Sequence, residues 1–207
     1  MTGLIALSHF ARTNGHRVDE QNSTRRASQV KICIDSGHGG HDPGAVGTQP
    51  FLYEEKASNL STALQLEDAL KPLGHSVIMT RRQDRSLSLS ARADFANRHG
   101  AALFVSIHAN AAATPAAEGM EVFHFPGSMA GEAAATQVLT SMLNQFPNHR
   151  NRGVKEGNWA VLRLTHMPAI LIECEFITNP DQLLFLHDPQ NQLVLAHAIA
   201  TGIHALA

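Results

Sequence analysis

Two short apolar runs constrain the fold most, residues 102–107 (ALFVSI) and 169–173 (AILIE). A strand with one face in water alternates apolar and polar residues. A nearly continuous apolar strand must instead be covered on both faces, as inner strands are in a sheet sandwiched between helices. Segments with helical period surround these runs. Over 54–73, Leu60, Ala63, Leu64, Leu66 and Leu70 fall on one face, and Pro72 and Gly74 end the pattern. Residues 88–99 place Leu89, Ala93 and Ala96 together, and 190–205 place Leu193, Ala196, Ala200 and Ile203 together. A further helix is predicted at 129–146, with strands at 30–34, 76–80, 119–125 and near 161–164. This alternation implies an α/β fold, a single domain whose mixed, mostly parallel sheet is flanked by helices on both faces. Residues 1–29 are polar and read as a poorly ordered N-terminal extension, with a short helical turn around 4–10. Residues 30–207 form the expected domain.

Bulk properties exclude several function classes. A net charge of −2 argues against nucleic acid as a partner, since phosphate binding shows as excess Lys and Arg. No apolar run approaches the roughly 20 residues that cross a bilayer. The apolar patch at 4–7 has no basic flank, so no secretory signal is read there. The chain is expected to be a monomer. Cys33 and Cys174 lie inside strand-like runs without a CxxC spacing, which favours buried thiols over metal ligands.

Chemistry concentrates in four stretches: KICIDSGHGG (31–40), YEEK (53–56), FVSIHAN (104–110) and ILIECEFITN (170–179). His38 follows a strand inside a glycine-rich loop, at the strand end where α/β proteins place ligands. Glycines let such a loop bend without steric conflict. No GK[ST] follows, so a phosphate loop does not fit. His108 also ends an apolar strand. Glu54 and Glu55 open the first helix, close to the His38 loop, and either carboxylate completes a His–Glu–His set. Two imidazoles and a carboxylate make the open three-ligand site of a catalytic zinc, leaving a position for water. Glu173 and Glu175 end the last apolar strand. Alternation places them on one face and Cys174 on the other, and either carboxylate suits a general base.

At these residues the chain resembles the zinc-dependent N-acetylmuramoyl-L-alanine amidases of the type-3 amidase family. The matching segments occur in the family's order: IDSGHGGHDPGAVG, EEKASNL, LSLSARADFAN with LFVSIHAN, RGVKEGNWAVLR, and MPAILIECEFITNPDQ. The resemblance implies one zinc ion held by His38, Glu55 and His108, with Glu55 chosen because the family ligand directly precedes the Lys, here Lys56. It implies Glu173 as the acid/base, three residues before Phe176, with Glu175 in reserve at a position often held by Gly. The implied substrate is peptidoglycan, cut between N-acetylmuramic acid and L-alanine of the stem peptide, at the cell wall. Other readings are a zinc peptidase or deacetylase acting on another cell-wall bond, or an inactive wall-binding module. Some family members carry a long regulatory helix after the SIHAN-like strand end. Here only AAATPAA (111–117) stands there, too short for such a lid. An uncovered site is therefore expected.

Overall fold

A computed structural model describes residues 29–207. The turn expected around residues 4–10 and the extension at 1–28 lie outside the described residues.

The chain begins with β1 (Lys31–Ser36), the hairpin strands β2 (Val46–Gly47) and β3 (Tyr53–Glu54), and helix α1 (Glu55–Leu70). There follow β4 (Ser76–Met79), α2 (Leu89–Arg98), β5 (Leu103–Asn110), β6 (Met120–His124) and α3 (Met129–Gln145). The remainder comprises β7 (Asn151–Glu156), α4 (Ala160–Arg163), β8 (Ala169–Phe176), α5 (Pro180–His187) and α6 (Pro189–His204). Six strands form one sheet in the order β4-β1-β5-β8-β6-β7, and only the β6–β8 pair is antiparallel. This is the mixed, mostly parallel α/β architecture that the sequence implies.

The inner strands are buried on both faces, as their continuous apolarity demands. Ile32, Ile34, Val105, Ile170 and Ile172 pack under α1, α3 and α6, whereas Cys33, Phe104 and Leu171 pack with Ala96 of α2 and Val161 and Leu162 of α4. Cys33 and Cys174 are buried free thiols, and β5 lies between their strands. The parallel strands β1, β5 and β8 end at one edge of the sheet. There β1 is flanked by β4 and β5, whose connections leave in opposite directions, and a crevice opens as it does in other α/β sheets.

Several local expectations are corrected. The strand predicted near 161–164 is the short helix α4, in which the amides of Leu162 and Arg163 donate back to the Trp159 carbonyl while Val161 and Leu162 pack beside Phe104 and Leu171. The strand in that region is β7, a charged edge strand whose side chains are only partly covered and carry little apolar signal. Helix α5 was not anticipated; Asn179 caps it and Pro180 opens it, while Asp188 and Pro189 start α6 in the same way. Leu89 and Leu193, assigned to buried faces, are exposed at 57% and 38%. Leu60 and Leu64 are only partly covered, and the buried residues of α1 are Glu55, Ser58, Asn59, Thr62, Ala63, Leu66, Glu67, Ala69 and Leu70.

These placements predict opposite responses to substitution. Phe104→Ala should lower unfolding free energy by about 3–5 kcal/mol, whereas Leu193→Ser should change it by less than about 0.5 kcal/mol. Urea titrations followed by circular dichroism measure both.

Candidate metal centre and active-site cleft

Three segments converge at the sheet edge. β1 runs into the glycine loop, where His38 takes a left-handed backbone conformation (φ 59°) that side-chain-bearing residues rarely adopt. Two buried arginines hold this loop. Arg81, 1% exposed, donates to the carbonyls of Ser36 (2.9 Å), Gly37 (2.8 Å) and Lys56 (2.9 Å). Arg92 donates to Asp35 Oδ1 (2.8 Å) and to the carbonyls of Ser36 (2.7 Å) and His38 (2.7 Å). Asp35 also accepts from Thr80 (2.6 Å) and Ser106 (2.8 Å), so the buried carboxylate is fully partnered.

Helix α1 starts against the same loop. Its first amides have no side-chain cap; instead Glu55 N donates to Ala45 O (2.9 Å) and Lys56 N to Pro43 O (3.0 Å). Docking the helix this way buries Glu55, which is 3% exposed, while Glu54 stays outside and pairs with Lys56 at 3.2 Å. The two glutamates that sequence chemistry left equivalent are thereby separated.

Glu55 lies between the two imidazoles. Its Oε2 is 3.1 Å from His38 Nε2 and its Oε1 is 2.9 Å from His108 Nδ1. The rings stand edge to face, 5.0 Å between centroids. Asn59, Ala45 N and Ala109 N also donate to this carboxylate. Donor atoms from His38, Glu55 and His108 all fall within 4.8 Å of one another. Zinc binds nitrogen at about 2.0–2.1 Å and carboxylate oxygen at about 2.0–2.2 Å, so one ion fits among donors this close. Asp42 Oδ2, 2.8 Å from His38 Nδ1, leaves Nε2 as the outward donor, an arrangement typical of metal-binding histidines.

Electrostatics agree with the geometry. Burial alone would raise the Glu55 carboxyl, but hydrogen bonds and charge from His108 and His38 outweigh it and hold the group far below the ordinary carboxylate range. Burial would lower His38, yet Glu55 and Asp42 leave it above the usual imidazole value.

Two glycines are sterically required. A Cβ on Gly37 would lie 2.3 Å from His108 Cε1, and one on Gly44, at φ +67°, would lie 2.5 Å from Glu55 Oε2.

Glu173 lines a cleft of about 490 Å³ together with His38, His108, Arg92 and Trp159. Its Oε2 is buried with no hydrogen-bond partner. Burial, then the charges of Glu55 and Glu121, raises its carboxyl well above the ordinary value. Glu175 points elsewhere, contrary to the expectation that it shares a face with Glu173. Between the pairs His108–Glu173 and Asn110–Phe176, β8 holds one more residue than β5, a bulge that breaks the alternation. Glu175 instead accepts from Gly119 N (2.6 Å) and faces His149 Nδ1 at 2.8 Å. Asp42, Arg81, Arg92 and Trp159 were not singled out from sequence. An Asp four residues after His38 in the loop was the one available signal, since arginines are ordinarily read as exposed.

An α/β sheet whose strand ends bring together a His–Glu–His donor set, with the buried Glu173 carboxylate beside it, makes a cleft that could hold one metal ion. The chain belongs to the N-acetylmuramoyl-L-alanine amidase family Amidase_3, which matches residues 32–205. It is 34% identical over 185 residues to the probable cell wall amidase LytH of Staphylococcus epidermidis, covering 89% of this chain and 61% of that protein. The chain thus spans about three fifths of that relative's length. An N-acetylmuramoyl-L-alanine amidase from Clostridium difficile 630 superposes with a TM-score of 0.82 at 34% identity, over 86% of this chain and 96% of that one. The catalytic domain of the amidase CwlV from Bacillus (Paenibacillus) polymyxa gives 0.79 at 35% identity, over 84% and 96%.

Substitution of Gly37 by Ala should displace the His108 imidazole and weaken divalent-ion binding at least about tenfold, with the circular dichroism of the fold retained. Protons compete with the ion for neutral imidazole. Because His38 is raised, affinity should start to fall, as pH is lowered, at a higher pH than an ordinary histidine would impose. Chelator-competition titrations across pH read both effects.

Proposed function

We propose that this protein hydrolyses the amide between the lactyl group of N-acetylmuramic acid and L-alanine in peptidoglycan, at the cell wall, as an autolysin-type remodelling or lytic enzyme. The observation that carries the reading is the meeting of His38, Glu55 and His108 in one donor set, with the unpartnered Glu173 in the same cleft. Family membership supplies the bond to be cut.

His38, Glu55 and His108 would hold a single zinc ion. Zinc in a three-donor site supplies Lewis acidity toward a carbonyl and makes a water more acidic. Glu173 accepts the proton of the attacking water and delivers it to the leaving nitrogen of L-alanine. Burial and nearby carboxylates make it a stronger base than an exposed Glu, as this role requires. Asp42 orients His38, and the Arg81–Arg92 pair keeps the loop in place. Between β5 and β6 no described residue is helical, so no lid helix covers the cleft from this segment.

Mass spectrometry of products from purified sacculi tests the reading. Hydrolysis should free peptides with N-terminal L-alanine, without glycan or cross-link cleavage, and a chelator should abolish it. Glu173→Ala should retain zinc and lose about 10²–10⁴-fold in rate, whereas His38→Ala should lose both metal and activity. A Glu173→Ala protein that still releases stem peptides at the wild-type rate excludes the acid/base assignment. A chain starting at Gln29 should cleave as fast as the full chain, and a large gain would show that residues 1–28 restrain it.

A further inference from the structure

The face of the sheet that carries Glu173 continues past it. In register, His108 on β5 lies opposite Glu173 on β8, Glu173 opposite Glu121 on β6, and Glu121 opposite Gly153 on β7. The next row on the same face runs through Ser106, Leu171, Phe123 and Lys155. Leu171 and Trp159 line the cleft, and Trp159 meets Phe123 edge to face at 5.9 Å between ring centroids. Phe123 and Lys155 thus lie on the sheet face that the cleft occupies, next to its Leu171–Trp159 wall.

Beside Glu173, the buried Glu121 accepts from Asn110 Nδ2 (2.6 Å), from Arg152 Nε (2.9 Å) and from Lys155 Nζ. Two cations on one carboxylate leave one positive charge unmatched. Arg152 is further engaged, its guanidinium 4.7 Å over the Phe176 ring and Nη1 donating to Glu118 O at 3.3 Å. Lys155 is freer. Its side chain is 38% exposed, and its ammonium carries three donors with Glu121 as its ion-pair partner.

We propose that Lys155, steadied by Glu121 and Arg152, is a specificity residue that binds the free carboxylate of an acidic second residue in the stem peptide. This rests on the amidase reading above. The dimensions suit that position. Lys155 stands on β7, two strand spacings or about 10 Å from β8 and Glu173, and its ammonium reaches back to the Glu121 carboxylate on the strand between them. In an extended peptide whose first residue carries the scissile nitrogen, the second Cα lies about 3.8 Å beyond the first. Glutamate joined through its side chain leaves an α-carboxylate at that point, and Lys155 supplies the complementary charge without disturbing Glu173.

Two synthetic N-acetylmuramoyl tripeptides decide the matter, one with a free α-carboxylate on the second residue and one with a carboxamide there. The wild-type protein should prefer the carboxylate in kcat/KM by on the order of tenfold, the value of one partly solvated charge-assisted contact. Lys155→Met should bring the ratio close to one by raising KM for the acidic substrate, with kcat on the carboxamide unchanged. Lys155→Arg should restore the preference. Equal cleavage of both substrates by the wild type, or an unchanged ratio in Lys155→Met, overturns the inference. A wild-type protein that cleaves neither substrate instead overturns the amidase reading on which it stands.

Discussion

The grip of two imidazoles on the Glu55 carboxylate is the interaction on which the rest of the site depends. A carboxylate this buried is costly unless it is satisfied. Glu55 receives two imidazoles, a side-chain amide and two backbone amides, drawn from the β1 loop, α1 and β5. Those donors come from segments far apart in the chain, so the carboxylate joins the loop, the helix and the central strand at one point. Moving any of the three misplaces the others. The same arrangement serves stability without metal and donor geometry with it.

Around that point the structure spends charge to hold backbone. Arg81 and Arg92 are buried where they satisfy the carbonyls of a loop that turns away from hydrogen-bonded structure. Around Glu173 carboxylates gather instead, and burial followed by the charges of Glu55 and Glu121 raises its carboxyl. Across the next strand, Arg152 and Lys155 restore positive character.

The layers and most elements were legible because their signals are local or periodic. Continuous apolarity marked β5 and β8 as inner strands, and helical period marked α1, α2, α3 and α6. Failures came where burial is shared with polar atoms or where no periodic face exists. Ser58, Asn59 and Thr62 form part of the covered face of α1, so counting leucines misjudged it. β7 is held by backbone pairing at an edge and needs few apolar side chains. In α4 the two adjacent apolar residues imitate a strand over too short a stretch for period to discriminate.

By itself the sequence determined the α/β layering, the positions of His38 and His108 at strand ends, and, through family resemblance, the preference for Glu55 and Glu173. Only the tertiary structure decided which side of each ambiguous pair faces the cleft. Glu55 is turned inward because loop carbonyls of Pro43 and Ala45 dock the first turn of α1. Glu175 is turned toward His149 because one extra residue in β8 resets the alternation. Both outcomes depend on how a neighbouring segment meets the strand or helix end, a long-range constraint that local periodicity does not encode.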